Sequence, residues 1–167
     1  MTRFETVVLP HLDAAYNLAR YITRNAQDAE DVVQDACLRA LKHFETFRGE
    51  EGTSARAWLL TIVRNTAYSS HRRKGPDGGG AVLEFDEAQH SGAVEGEHPE
   101  AALLRSAANE SLRRALDSLA PEFREVIVLR ELEGLSYKEI SDVAGVPVGT
   151  VMSRLSRARK RLQEALT

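Results

Sequence analysis

A single cysteine, Cys37, occurs in the 167 residues, so no internal disulfide can staple the fold. Long apolar runs are missing too, and none approaches the roughly 18 consecutive residues of a membrane-spanning helix. Met1-Thr2-Arg3-Phe4-Glu5 has neither the apolar stretch nor the small-residue cleavage site of a signal peptide. The expectation is a cytoplasmic chain with no membrane insertion. Potential metal ligands are sparse: Cys37 and His43 have no second pair nearby, and zinc sites usually want four ligands. His11, His71, His90 and His98 show no catalytic spacing with Ser or Asp. Gly78-Gly79-Gly80 is not followed by Gly-Lys-Ser/Thr, so it does not read as a phosphate loop. No enzyme, cofactor or metal site is expected.

Alternation of period two is also lacking, while apolar spacing near 3.6 recurs almost throughout, so the fold class expected is all-α. Leu12, Ala15, Leu18, Ala19 and Ile22 form one stripe, and Val33, Cys37, Ala40, Leu41 and Phe44 a second. That second stripe makes Cys37 a small core residue. Ala55, Leu59, Ile62, Thr66 and Ser69 mark the inner face of a third helix, with Trp58 at its margin.

Charge divides the chain more sharply than the net value of −3 implies. Residues 75–100 carry seven acids and no Lys or Arg, among Gly75, Pro76, Gly78, Gly79, Gly80, Gly92, Gly96 and Pro99. Such a stretch cannot bury enough apolar surface to offset the cost of ordering, so a flexible, self-repelling linker is expected. It separates two mildly basic blocks. The expected organisation is two small helical domains, 1–74 and 101–167, joined by an acidic linker over 75–100.

The second block begins with a helix through Leu104, Ala108, Leu112, Ala115, Leu116 and Leu119. Pro121 suits a first helical position, and the next helix runs through Val126, Ile127, Leu129 and Leu132 to a stop near Gly134. Ser136-Tyr137-Lys138-Glu139 has the form of a capping box. Gly145 ends that short helix, and Val146-Pro147 opens another, which is the helix-turn-helix pattern. Val151, Leu155, Ala158 and Leu162 give the last helix one buried stripe. Away from it lie Arg154, Arg157, Arg159, Lys160 and Arg161, with Thr150, Met152 and Ser153 near the helix start. A major groove accepts one α-helix whose early residues reach base edges while flanking cations hold phosphates. DNA binding is the reading that uses all of these features.

Leu135-Ser136-Tyr137-Lys138-Glu139-Ile140, then Val146-Pro147-Val148-Gly149-Thr150-Val151 and Ser153-Arg154-Leu155-Ser156-Arg157-Ala158-Arg159, closely resemble the fourth region of extracytoplasmic-function sigma factors. Asp28-Ala29-Glu30-Asp31-Val32-Val33-Gln34-Asp35 and Ala57-Trp58-Leu59-Leu60-Thr61-Ile62-Val63-Arg64-Asn65 resemble the second region of the same family. The resemblance implies a transcription initiation factor that binds core RNA polymerase in the bacterial cytoplasm. It implies −35 recognition by Thr150, Met152, Ser153, Arg154, Arg157 and Arg161. Many relatives have Arg or Lys at the position of Met152, so the −35 sequence is expected to differ from the common family form.

On the second helix of the first block, Asp28, Asp31, Asp35, Leu38, Arg39 and Lys42 share the face opposite the expected stripe. An apolar residue amid that charged face favours a protein contact. By resemblance, Asp31, Gln34, Asp35 and Leu38 dock on core polymerase. Thr61, Asn65, Tyr68 and Arg72 fall in one row on the third helix, followed by Arg73 and Lys74. A polar, aromatic and basic row suits single-stranded DNA. The resemblance assigns that row and the loop from Phe47 to Ser54 to the promoter −10 element, with the loop holding an unstacked base. It also implies an anti-sigma factor as partner, and a linker that threads toward the RNA channel of the polymerase. Two other functions use part of the pattern: a sigma mimic that sequesters an anti-sigma factor, and a simple helix-turn-helix regulator. The intact basic helix argues against the first, and the second leaves residues 1–74 unexplained.

Overall fold

The computed structural model describes residues 3–47, 54–78 and 109–167, with 71–78 described by backbone alone. The expected joint over 75–100 therefore lies outside the described residues except for 75–78, as do Leu104 and Ala108 of the second block. All regular structure among the described residues is helical. Helix α1 (Arg3–Val8) leads through a 3-10 turn at Leu9–His11 into α2 (Leu12–Thr23). Helices α3 (Ala26–His43) and α4 (Ala55–Gly78) complete the first block. The second block comprises α5 over 109–117, α6 (Pro121–Ile127), a π-helical turn at Val128–Leu132, α7 (Tyr137–Ala144) and α8 (Val148–Leu166). None of the described helices is long and apolar enough to cross a membrane.

Helix α2 buries Ala15, Leu18, Ala19 and Ile22, as its spacing predicts. It stops at Arg24, which adopts a left-handed conformation with φ 59° and donates its amide to the Arg20 carbonyl at 2.8 Å. Asn25 then caps α3 by accepting the Asp28 amide at 2.9 Å. The core of this block includes Leu18, Leu59 and Leu60, all fully buried. Each contributes roughly 1.5–3 kcal/mol relative to an exposed side chain.

The expected stripe of α3 is displaced. Ala29, Val32, Ala36 and Ala40 face the core, while Val33, Cys37 and Phe44 sit at its margin and Leu41 is 55% exposed. Cys37, half-buried, is thus not a core residue, and burial raises its thiol pKa. The physical reason is closeness: α3 packs against both α2 and α4, and alanines let the helix backbones approach. Ala36→Leu therefore forces four-carbon bulk into a site with no free surface. We expect a loss of about 1–3 kcal/mol or more in urea unfolding, and an unchanged midpoint would refute the tight seam.

Helix α4 is covered more widely than one stripe. Ala57, Leu60, Val63 and Ala67 are buried together with Leu59 and Thr66, while Ala55, Ile62 and Ser69 are only half-buried. Its second cover is α7 from the other block.

In the second block, Pro121 opens α6 with Ala120 as N-cap. The capping box forms as expected: Ser136 Oγ accepts the Glu139 amide at 3.0 Å, and Glu139 Oε1 accepts the Ser136 amide at 2.9 Å. Gly145 closes α7 with φ 71°, a conformation that disfavours any residue with a Cβ. Val151, Leu155 and Ala158 are buried and Leu162 half-buried, so α8 shows Arg157, Arg159, Lys160 and Arg161 outward. Leu132, expected on the buried stripe, is 45% exposed as the last residue of the π turn, where the wider helical winding shifts its face.

The two blocks do not stand apart. Helix α2 packs on α6 and the π turn, α4 packs on α7, and buried residues of both blocks join in one continuous cluster. Arg124 of α6 reinforces the junction. Its buried guanidinium donates to the carbonyls of Leu116 (3.0 Å), Leu119 (2.8 Å) and Asp117 (3.4 Å), and across the junction to Tyr21 at the end of α2 (3.1 Å).

Candidate nucleic-acid interface

Helix α8 presents Met152 (52% exposed), Ser153 and Arg157 outward near its start, with Thr150 and Arg154 half-buried. The basic residues have distinct surroundings. Arg159 donates to Glu131 at 2.8 Å, and the Arg161 guanidinium lies over the Phe123 ring at 4.7 Å. Arg157 and Lys160 stand exposed. Arg154 turns toward α4, where it lines a cleft of about 470 Å³ with Asn65, Tyr68 and Ser69.

The α4 row is equally differentiated. Asn65 is exposed, whereas Thr61 donates its hydroxyl to the Ala57 carbonyl at 2.7 Å. Tyr68 lies under the Arg64 guanidinium, 4.9 Å from ring centroid. Burial, with Glu125 nearby, pushes the Tyr68 phenol up to about 12, so it remains a hydrogen-bond donor at neutral pH. Arg72 belongs to α4, but its side chain lies outside the described residues, as does most of the Phe47–Ser54 loop. At the described edge of that loop, Phe47 stacks on Trp58 with centroids 4.6 Å apart, and Phe44 packs beside them.

On α3, Asp31 and Gln34 are exposed, Asp35 pairs with Arg39 at 3.3 Å, and Leu38 is 64% exposed. Leu41, one turn on, adds a second exposed leucine to this surface. The face of α3 that buries Ala29, Val32, Ala36 and Ala40 leaves Leu41 outward, where the expected stripe had placed it inside.

Arginines of α4 make ion pairs across the junction, one of them in the wall of the cleft. Arg64 of α4 donates to both carboxylate oxygens of Glu125, whose side chain has no exposed surface. Burial raises the Glu125 carboxyl pKa, and Arg64 acts against that rise. Nearer the start of α4, Arg56 donates to Glu139 at 3.0 Å and 3.3 Å. Neither arginine stood out in the sequence. The signal for Arg64 was its place four residues before Tyr68, within the same helical row.

The sequence pattern of sigma-70 region 2 matches residues 7–76, and that of sigma-70 region 4 matches residues 109–162. Together they span most of the chain and both helical blocks. The chain belongs to the sigma-70 family, in its extracytoplasmic-function branch. Over 99% of its length it is 36% identical to the ECF RNA polymerase sigma factor SigE of Mycolicibacterium smegmatis, and it spans 62% of that protein. It is 34% identical to the RNA polymerase sigma-H factor of Pseudomonas aeruginosa, covering 98% of this chain and 86% of that one. Among solved structures, the sigma factor RpoE of Bartonella quintana in complex with the anti-sigma factor NepR superposes with a TM-score of 0.75. That likeness covers 99% of this chain and 98% of the other at 30% identity.

In this sigma factor most of α8 falls within the region 4 match and most of α4 within the region 2 match. The cleft therefore lies between the two helices expected to meet promoter DNA, and Arg154 and Asn65 share it. Among the described residues no group of three or more His, Cys, Asp or Glu is placed to hold a metal ion.

Proposed function

We propose that this sigma factor binds core RNA polymerase through Asp31, Gln34, Asp35 and Leu38 of α3, with Leu41 widening the apolar patch. Thr61, Asn65, Tyr68 and Arg72 hold the single-stranded −10 element, and Thr150, Met152, Ser153, Arg154, Arg157 and Arg161 read the −35 duplex. Residues 1–74 and 101–167 act as the two working units, in the cytoplasm where polymerase and chromosome meet. The observation that carries this reading is the pairing, in one chain, of an outward basic recognition helix with a polar-aromatic row on α4.

The closed junction adds a condition. Elements centred about 25 base pairs apart are roughly 85 Å apart at about 3.4 Å per base pair. Arg154 and Asn65 line a single cleft, so both elements are engaged only after the blocks separate. Polymerase supplies the surface that holds them apart. An anti-sigma partner, as in the Bartonella complex, would act by favouring the closed arrangement.

Run-off transcription with core polymerase across a genomic promoter library tests the reading. Promoter-dependent transcripts are expected. Their absence, with a stable duplex complex formed without polymerase, would point instead to a simple helix-turn-helix regulator. Absence of both, with tight anti-sigma binding, would point to a mimic. Within the −35 contact, Arg157→Ala is expected to weaken promoter binding by about 1–3 kcal/mol. An unaltered promoter profile would remove Arg157 from the readers.

A further inference from the structure

Arg56 and Ser54 form, with Glu139, a bridge between the first turns of two helices. Ser54 Oγ accepts the Ala57 amide at 3.0 Å, capping α4, and donates to Glu139 Oε2 at 2.9 Å. Arg56 Nη2 donates to both oxygens of the same carboxylate, and its Nη1 donates to the Glu133 carbonyl at 3.2 Å. Glu139 meanwhile completes the capping box of α7. Burial pushes the Glu139 carboxyl up, but the Ser136 amide, Ser54 hydroxyl and Arg56 guanidinium outweigh it and hold it below the usual range. Farther along α4, Arg64 repeats the arrangement with Glu125.

In both cases the guanidinium comes from region 2 and the carboxylate from region 4. A guanidinium fork fits a phosphate as well as a carboxylate, and a neighbouring hydroxyl completes the donor set. Ser54 closes the loop expected to hold a −10 base. Arg64 lies over Tyr68, inside the row expected to meet the strand. The donors are therefore placed where a single strand would pass, and each already holds an anion.

We propose that Arg56 with Ser54, and Arg64, bind backbone phosphates of the single strand, and that Glu139 and Glu125 occupy them while the blocks are closed. Strand and region 4 then compete for the same two guanidinium groups. The proposal rests on the reading above that α4 meets single-stranded DNA.

Glu139→Gln isolates the competition, because Gln serves at the third position of a capping box as Glu does. In the free full-length chain, fluorescence anisotropy with a labelled twelve-residue oligothymidine gives the affinity across a salt series. E139Q is expected to bind about three- to tenfold tighter than the native chain. Its log–log salt slope should be steeper by about 0.7, one single-strand phosphate contact. Arg56→Ala breaks the same bridge from the other side, so small-angle scattering should show it as open as E139Q. Its oligothymidine affinity should nevertheless fall below native, and R56A/E139Q should lose the gain of E139Q. Native affinity and slope in E139Q would overturn the proposal. So would R56A/E139Q binding as tightly as E139Q, since the gain would then come from opening alone. These measurements need no polymerase, so their failure is distinct from a failure of run-off transcription.

Discussion

Leu38→Asp is expected to lower the affinity for core RNA polymerase by about a hundredfold, roughly 3 kcal/mol. Leu38 is 64% exposed in the free protein, so a docking partner gains about two thirds of a leucine's surface as apolar contact. An aspartate would lose that gain and bring a carboxylate that must shed water in the interface. The same exposure means that the fold has little to lose: the thermal midpoint should stay near native. Interferometry with immobilised core polymerase measures the binding. Leu41→Asp should act in the same direction, and native affinity in both variants would remove α3 as the docking helix.

Arg124→Met is expected to cost about 3–5 kcal/mol of stability, the largest effect outside the apolar core. The guanidinium serves four carbonyl oxygens at 2.8–3.4 Å, three in region 4 and one at the end of α2. Each is a hydrogen bond from a charged donor, worth about 1.5–3 kcal/mol singly and less when summed, because the groups share one site. Methionine keeps the bulk and removes every donor. For a chain of this size the loss corresponds to roughly 6–20 °C in melting temperature. Scattering should also show a larger radius of gyration, since the Tyr21 link across the junction is gone. A change below about 1 kcal/mol would mean that water reaches those carbonyls and that the arginine holds nothing.

The helix-turn-helix was legible because all its signals lie within a short stretch. Ser136 and Glu139 are three residues apart, Gly145 takes a conformation that glycine alone adopts easily, and the α8 stripe repeats at helical spacing. Helix α2 was legible for the same reason. Helix α3 was not, because alanine and cysteine carry little directional weight. Ala40 is buried as its stripe predicts, but Val33, Cys37 and Leu41 looked more apolar than Ala29 and Ala36, and a tight seam selects small side chains over greasy ones. The candidate faces of α4 and α8 each follow the period of their own helix. Their shared cleft could not be seen from either helix alone.

The sequence alone determined the helical blocks, the helix-turn-helix and the exposed basic residues of α8, since periodicity and capping act over one or two turns. Tertiary structure alone decided which face of α3 is buried and that region 4 closes onto region 2. It also decided that Glu139 and Glu125 sit on Arg56 and Arg64, partners 83 and 61 residues away. No local spacing encodes such pairs: the charges meet only after two separately patterned surfaces have packed, and the packing selects the partners.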